Sequence, residues 1–219
     1  MNFFINRFRL IGPEDQVPDV SFIPSMQRRK LSRLTRLALG VAEEVAPMGR
    51  EFPLVYASRF GEWGQSLEQQ LRYFREKEMS PAGFSSSVHN TAPGQHSILK
   101  KNHKTYTAIA AANQTFDAGM AESTAMLLKE EEAVYLCAGE EKPEVYQSAF
   151  NEKFPQFTIG LWIGQKKMEE AAIPLKIDFA ARNVVSGDDF SRACDFIRFL
   201  NSNAPTFDGP YYTLYRCKN

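Results

Sequence analysis

Hydrophobic and polar positions along the chain alternate between two periods. Near the N-terminus Phe3, Ile5, Phe8 and Leu10 are separated by polar residues, which predicts a strand with one solvated face. A helical period of three to four is clearest over 25–45, where the apolar residues are Met26, Leu31, Leu34, Ala38, Val41 and Val45. This alternation of strand-like and helix-like segments predicts the α/β class.

Later segments continue the alternation. Strands are predicted over 54–58, 106–111, 133–138, 157–163 and 171–179, and helices over 66–78, 115–129 and from Asp188 or Asp189 to Leu200. Ser66 is the expected N-cap of the second helix, because its hydroxyl can accept from a free backbone N–H. The tail over 201–219 holds two Pro, one Gly and three Tyr, which favours a loop with one edge strand. We therefore expect a single domain over 1–219, with a core over 1–200 and a C-terminal tail.

Composition narrows the function classes. The 219 residues are 43% hydrophobic and carry 26 basic and 26 acidic side chains. Such a chain can form a core without disulfides, and its zero net charge argues against a nucleic acid partner. Three cysteines are typical of a reducing compartment. There is neither a long apolar run nor a signal-peptide pattern, so we expect a cytoplasmic protein without a membrane span, whose mature form is the whole chain.

A cluster of basic residues lies on the polar side of the predicted helix over 25–45. Its members are Arg28, Arg29, Lys30, Arg33 and Arg36. One interpretation is a solvated face, balanced by two glutamates near the end of the helix. The other is a docking surface for an acidic partner, since clustered charge raises encounter rates. The sequence leaves both open.

All three histidines, His89, His96 and His103, lie close together in the sequence. Pro93 and Gly94 are expected to break any helix between the first two. No cysteine or carboxylate pair lies at the usual ligand spacing, so no metal site is predicted. His96 and His103 are expected at the surface among lysines. His89 lies in a phrase of small, turn-forming residues, for which a turn buried under the sheet edge is one interpretation.

Nucleophile motifs are missing from the sequence. It has no G-x-S-x-G elbow, no G-x-G-x-x-G and no phosphate-binding loop of the Walker type. Cys137 ends an apolar run and is followed by glutamates, which would raise a thiol pKa, so a core role is expected. Cys194 falls on the apolar stripe of the last helix. A serine of 85–87 with His89 would form a small acyl transferase or hydrolase, but such close neighbours rarely adopt nucleophile–base geometry.

Five phrases together resemble a known family. They are RRKLSRLTR at 28–36, YASRFGE at 56–62, SPAGF at 80–84, SVHNTAPG at 87–94 and TFDAG at 115–119. In this order they are similar to the β-ketoacyl-synthase-like N-terminal domain family, found in gene clusters for aryl polyenes and related pigments. The resemblance extends to about residue 200, and the phrase at 87–94 is its strongest part.

The resemblance implies a thiolase-like half of a ketosynthase, which is a mixed five-stranded sheet with flanking helices. In ketosynthases the nucleophilic cysteine begins the helix after the third strand, where this chain has Ala112, Asn113 and Gln114. Asn113 or Gln114 is the expected counterpart of that cysteine. The catalytic histidines of the family come from the second half, so none is assigned here. Condensation needs a thiolate, and the chain is therefore not expected to be an enzyme alone.

The resemblance also implies a role and partners. The role is that of a chain-length factor, which pairs with an active β-ketoacyl-ACP synthase and shapes its acyl tunnel in aryl polyene or related polyketide or fatty-acid-like biosynthesis. The interface candidates are Thr105, Tyr106, Thr107, Ala108, Ile109, Ala110, His89 and Asn90; the tunnel candidates are Phe116 and Met120; the candidates for docking an acyl carrier protein are Arg28, Arg29, Arg33 and Arg36. No cofactor is implied. The alternative is a binding module for acyl chains or carrier proteins that works alone.

Overall fold

Strands and helices alternate along the chain in the computed structural model, which describes residues 1–146, 154–182, 184 and 187–217. The strands are β1 (Asn2–Ile11), β2 (Leu54–Ala57), β3 (Tyr106–Ile109), β4 (Glu132–Gly139), β5 (Phe157–Gly164), β6 (Ile173–Phe179), β7 (Thr206–Asp208) and β8 (Tyr212–Arg216). The helices are α1 (Ser25–Arg28), α2 (Arg33–Val45), α3 (Trp63–Glu76), α4 (Pro81–Ser85), α5 (Thr91–Lys100), α6 (Thr115–Met126) and α7 (Asp189–Asn201). The predicted α/β class is confirmed.

All strands belong to one mixed sheet, in the order β3-β2-β4-β5-β1-β6-β8-β7. The strands β3, β2 and β4 are parallel, and every other neighbouring pair is antiparallel. The expectation of five strands is wrong, because the sheet has eight. The strands beyond five are β6, which the hydrophobic pattern over 171–179 predicted, and the hairpin β7–β8, which forms from the tail expected to be mostly loop. Phe207, Tyr212 and Leu214 of the hairpin are buried, and this apolar surface holds it against the core.

A bulge in β1 explains why its alternation of apolar residues changes phase. The register against β5 shifts between Ile5 and Arg7, so that Asn6 is the additional residue. Asn6 Oδ1 accepts from Met168 N at 2.8 Å, which satisfies its buried amide. Phe3, Ile5, Phe8 and Leu10 consequently contact the same hydrophobic cluster.

Helices cover both faces of the sheet. On one face α2 and α5 pack on the buried side chains of β2 and β4, including Leu54, Tyr56 and Leu136. On the other face α6 and α7 pack on β4 and β1, around Phe116, Met120 and Phe196. Val134 and Tyr135 are neighbours in β4 and point to opposite faces, as the strand period requires.

The helix predicted over 25–45 is interrupted. It divides into α1 and α2, because Ser32 adopts an extended conformation and its Oγ accepts from Thr35 N at 2.9 Å as the N-cap of α2. The basic cluster is therefore not the face of one helix. The helix predicted from Ser66 begins at Trp63, and Ser66 Oγ accepts from Gln70 Nε2 at 3.1 Å inside it.

Helix α5 was not predicted. Pro93 is the third residue of this helix, and a residue of the first turn needs no N–H donor. His96 consequently lies inside α5 and is 4% exposed, with its ring 5.3 Å from that of Phe52. The expectation that His96 is a surface residue is wrong. His103, beyond the end of the helix, is exposed as predicted.

Candidate functional site

The carboxyl ends of the parallel strands β3, β2 and β4 lie at one edge of the sheet. The loops that follow them begin at Ser58, Ala110 and Glu140, and two of these loops lead directly into α3 and α6. Ligands of α/β sheets bind outside this edge, because helix starts and irregular backbone converge there. It is therefore the candidate functional site.

The turn between β3 and α6 has a strained residue at its tip. Ala112 has φ +48°, a left-handed conformation that is uncommon for a residue with a Cβ. Thr115 holds the turn, since its Oγ1 accepts from Ala111 N at 2.9 Å and donates to Ala112 O at 2.8 Å. Ala112 and Asn113 are exposed, and Gln114 accepts a hydrogen bond from Tyr211. Ala112, rather than Asn113 or Gln114, occupies the sharpest point of this elbow.

No thiol lies at this elbow. Cys137 is in β4, 0% exposed, and burial raises its pKa well above the ordinary value of a thiol. Cys194 lies on α7 and Cys217 follows β8. The prediction that Cys137 is a core residue is confirmed.

A carboxylate of this chain occupies the start of α6. Phe116 N donates to Asp189 Oδ1 at 2.9 Å, across 73 residues of sequence. Burial raises the pKa of Asp189 to about 6, although this hydrogen bond and the charge of Arg59 act in the opposite direction. A helix start attracts anions through its unpaired N–H groups and its dipole. Here Asp189 already fills part of that role.

A buried ion pair lies behind the elbow. Arg192 of α7 donates to Asp117 of α6 through Nε at 2.9 Å and Nη2 at 3.0 Å, a bidentate arrangement. Tyr212 Oη donates to Asp117 Oδ1 at 2.7 Å, and Arg192 also donates to Asp208 O. These bonds join α6, α7 and the β7–β8 hairpin into one unit. The elbow can therefore move only together with α7 and the hairpin.

Two further acids with raised pKa values, Glu62 and Glu140, lie near the start of α3. Glu62 is 2% exposed, accepts from Thr35 Oγ1, and has a second oxygen without a partner within the described residues. Burial raises the pKa of Glu62 to about 7, against the hydroxyls of Ser32 and Thr35, which lower it. Glu140 accepts from Gly64 N at 2.9 Å, and burial raises its pKa as well.

Sequence reasoning did not find Glu62, Asp117, Asp189 or Arg192. The residues next to Asp117 in the sequence are apolar. An acid in such a segment was the one available signal of a buried, paired carboxylate. Nothing in the sequence indicates that its partner is Arg192, 75 residues later.

The phrase at 87–94 covers a turn next to the sheet, over 87–90, and the first residues of α5. His89 Nε2 lies 2.7 Å from Ser58 O, and its ring lies edge-on to that of Tyr56 at 6.1 Å. Gly61 has φ +58°, and a Cβ there would lie 2.9 Å from His89 Cα, so only glycine fits. Asn90 Nδ2 donates to Tyr106 Oη at 3.3 Å. His89 is half-buried and Asn90 is exposed, so the turn is less buried than predicted.

The serines of 85–87 do not form a nucleophile–base pair. Ser85, Ser86 and Ser87 each donate through Oγ to a carbonyl of their own segment at 2.9 Å. His89 meets the carbonyl of Ser58 instead. The hydrolase interpretation therefore has no geometric support.

The edge of the sheet formed by β3 has no neighbouring strand within the described residues. Leu54 N and Ser58 N donate to Thr105 O and Ile109 O, so alternate residues of β3 face β2. The backbone groups of Tyr106 and Ala108 therefore point away from the sheet. An edge of this kind is available for pairing with another chain.

Two searches of the described residues concern other site classes. No group of three or more His, Cys, Asp or Glu in this part of the chain could hold a metal ion. None of the described helices is long and apolar enough to cross a membrane.

Comparison with known proteins gives a family model and several solved structures. The family described as β-ketoacyl synthase, N-terminal domain, matches residues 7–207. No curated protein matches the sequence. A chain of the ketosynthase ApeO in complex with its chain length factor ApeC, from Xenorhabdus doucetiae, is 18% identical with a TM-score of 0.79, over 99% of this chain and 100% of that chain.

Two further solved structures share the fold at lower similarity. A chain of the ishigamide ketosynthase/chain length factor is 12% identical with a TM-score of 0.63, over 82% of this chain and 68% of that chain. A chain of AntDE:AntF, a type II PKS acyl-carrier protein in complex with its ketosynthase, is 10% identical with a TM-score of 0.63, over 87% and 71%. The fold is accordingly thiolase-like, as predicted, with three strands more than expected.

Proposed function

Because the chain belongs to the family of β-ketoacyl synthase N-terminal domains, we propose that it is a chain-length-factor subunit. It pairs with a catalytic β-ketoacyl-ACP synthase and shapes the acyl tunnel in aryl polyene or related polyketide biosynthesis. Structures that share its fold include ketosynthase and chain-length-factor complexes, which supports this role.

The elbow is the observation that carries the proposal. Acyl transfer requires a nucleophile and donors that stabilise the developing oxyanion. The tip of this elbow is the methyl group of Ala112, and the backbone N–H of Phe116, in the first turn of α6, is bonded to Asp189. Neither requirement is met by these residues, so the catalytic thiolate belongs to the partner.

The outer edge of β3 supports pairing with that partner. In the proposed complex the outward backbone groups of Tyr106 and Ala108 bond to a strand of the synthase. Thr105 and Ala110 extend the same edge at both ends, and both are exposed. Asn90 contacts Tyr106 from beside the edge, which places the turn over 87–90 next to the interface.

The tunnel residues require a correction. Phe116 and Met120 are each 0% exposed and pack within the core of this chain, so neither presents a surface to a partner. Their role in the proposal is to fix α6 against the sheet. Ala112 and Asn113 are exposed at the elbow and are the residues that we propose to face the tunnel.

The basic cluster remains a candidate for docking an acidic carrier protein. Arg28 Nη1 donates to Val20 O, and Arg36 Nε donates to Ser32 O, so both are partly held by this chain. Arg29 and Arg33 are exposed. We propose that these two arginines make the contact.

Co-expression with the synthase tests the pairing. The wild-type chain should co-purify with it, and Ala108→Pro should not, because proline removes an N–H that points outward from β3. Thr206→Pro on β7, at the opposite edge of the sheet, is the matched control and should still co-purify. If Ala108→Pro co-purifies as well as Thr206→Pro, pairing through β3 is wrong.

Product analysis tests the tunnel. In the reconstituted complex, Asn113→Phe should shorten the products because the larger side chain fills space next to the elbow. Leu128→Phe, at a residue that is 72% exposed and remote from the elbow, should leave them unchanged. Identical product lengths for both variants would contradict a tunnel role for Asn113.

A further inference from the structure

A cleft of about 390 Å³ lies between α1, α3, α4 and α5, beside the basic cluster. Its polar lining residues are Gln27, Lys30, Gln65, Ser85, Ser86 and Gln95. Gln27 Nε2 donates to Gln95 Oε1 at 3.2 Å, which ties α1 to α5 across the cleft. None of the lining residues is a carboxylate, so the wall offers amides, hydroxyls and one cation.

The positive charge at this cleft is not compensated by the chain itself. Within residues 1–146, 154–182, 184 and 187–217, neither Lys30 nor its neighbour Arg29 makes an ion pair with a carboxylate. Arg33, at the start of α2, also makes none. In a chain with zero net charge, three neighbouring unpaired cations are a local excess.

A second cleft of similar size provides the contrast. It measures about 400 Å³ and lies around the loop before β2. Its Lys100 is paired with Glu43 at 2.5 Å, and its Arg50 with Glu132 at 3.1 Å. Two of its cations therefore already have a carboxylate partner within the chain. The cleft beside α1 differs in that none of its lining residues is a carboxylate, whereas Glu43 and Glu51 line the second cleft.

A buried amide lies behind the wall of the same cleft. Gln69 of α3 is 8% exposed, and its Oε1 has no partner within the described residues. Its amide group lies against Gly83, a residue of the wall, where a Cβ would meet Gln69 Oε1 at 2.5 Å. Glycine at this position leaves room for the amide directly under the cleft surface.

We propose that the cleft between α1, α3, α4 and α5 binds a phosphate ester. Lys30 supplies the charge, and the amides of Gln65, Gln27 and Gln95 supply donors for the phosphate oxygens. Exposed Arg29 and Arg33 raise the local concentration of anions through their charge. Two sources offer this chemistry, namely a free ester such as coenzyme A and the phosphate on the prosthetic arm of a carrier protein; the second source rests on the proposed function.

Titration of the full chain with inorganic phosphate and with coenzyme A, followed by NMR of labelled protein, tests the site. Both ligands should shift the backbone signals of Lys30 and Ser86 and the side-chain signal of Gln65. Lys30→Gln should weaken coenzyme A binding about tenfold, the effect of one charge-assisted hydrogen bond. Lys176→Gln, at an exposed lysine of β6, is the control and should change binding less than twofold, roughly the effect of a distant screened charge.

A variant that keeps the charge unchanged distinguishes a specific binding site from a surface that attracts anions by charge alone. Gln65→Leu should weaken binding about threefold without any change of charge, because a donor is lost. No shift at the cleft, equal loss with Lys30→Gln and Lys176→Gln, or unchanged binding with Gln65→Leu would each overturn the proposal.

Apo and holo forms of the carrier protein distinguish the two sources. Tighter binding of the holo form, lost with Lys30→Gln, supports the prosthetic arm. Coenzyme A binding without any preference for the holo form supports a free ester, and the cleft then stands even if the chain-length role fails.

Discussion

The two helical layers differ in whether their buried polar groups have hydrogen-bond partners. In the layer of α6 and α7, Asp117, Arg192 and Asp189 all have hydrogen-bond partners inside the chain. On the side of α2, α3 and α5, Glu62 Oε2, Gln69 Oε1 and His96 Nδ1 are buried without a partner among the described residues. One further atom of this kind, Thr158 Oγ1, lies in the sheet.

The layer of α6 and α7 is fixed by internal hydrogen bonds, whereas the layer of α2, α3 and α5 can respond to pH. Complete pairing behind the elbow holds α6 in one position, which suits a surface that must be presented to a partner. Unpaired buried groups respond to conditions instead. Burial raises the pKa of Glu62 to about 7 and, together with the charge of Lys100, lowers that of His96 to about 4. His96 is therefore neutral near pH 7, and Glu62 is about half protonated there.

The largest effect should come from breaking the buried ion pair. Arg192→Ala leaves the carboxylate of Asp117 buried without its charge partner, and we expect a loss of about 3–5 kcal/mol in the free energy of unfolding. Denaturant unfolding measures it. Arg198→Ala on the same helix removes an exposed pair with Asp195 and should cost less than about 1 kcal/mol. Equal losses would mean that the layer is not fixed by this pair.

Glu62→Gln should change how stability depends on pH. The pKa of Glu62 is about 7 in the folded chain and ordinarily 4.5. The folded state therefore binds more protons between these values, and wild-type stability falls as pH rises through this window. Glutamine removes that fall, so the variant should be more stable at pH 8 by roughly 2–3 kcal/mol and nearly equal to wild type at pH 4.5.

Denaturant unfolding at several pH values checks this prediction. The range between about pH 6 and 7 is diagnostic, because it lies inside the Glu62 window and the contribution of Asp189, whose pKa is about 6, lies mainly below it in both proteins. Glu68→Gln, at an exposed residue of α3, should leave the pH profile unchanged. A Glu62→Gln variant with the wild-type profile would show that Glu62 is not held neutral.

Asp189→Ala tests the carboxylate at the start of α6. Both variants remove the buried carboxylate, but Asp189→Ala leaves Phe116 N without an acceptor and Asp189→Asn keeps one, so the alanine variant should be less stable than the asparagine variant by about 1–2 kcal/mol. Thermal or denaturant unfolding compares the two variants. Equal stability of the alanine and asparagine variants would show that this hydrogen bond does not hold the elbow.

The smallest effect should come from Gln69→Met. Methionine has a similar shape and removes the buried oxygen without a partner, so stability should rise by about 0.5–1 kcal/mol. Gln70→Met, at the neighbouring exposed residue, is the control and should be neutral. A loss of stability in Gln69→Met would show that the amide is satisfied in solution.

Sequence patterns predicted most strands, because periodicity reports which residues face a core, and the family resemblance indicated the elbow. They failed where a tertiary contact decides the structure. The tail was expected to be a loop with one edge strand, yet it forms two strands, because Tyr212 and Leu214 of β8 pack against the core. Pro93 reads as a helix breaker, although the first turn of α5 tolerates it.

The candidate site was predicted only in part. The position of the elbow follows from the strand before it, but the strain at Ala112 is a property of backbone geometry. Phe116 and Met120 were expected to reach a partner, and their burial depends on Tyr135 and Phe196, which pack against Phe116 from β4 and α7. These residues are far apart in the sequence, so no local sequence pattern predicts their contacts.

The position of β1 in the sheet has a consequence for folding. This strand is made before all the others, yet its neighbours are β5 and β6, with Phe4 opposite Gly164 and Asn2 opposite Lys176. Closing such long loops makes folding slow. During synthesis an apolar strand must therefore wait, unpaired, for most of the chain, and a chaperone that covers β1 in this interval should raise the yield of folded protein more than one acting on the finished chain.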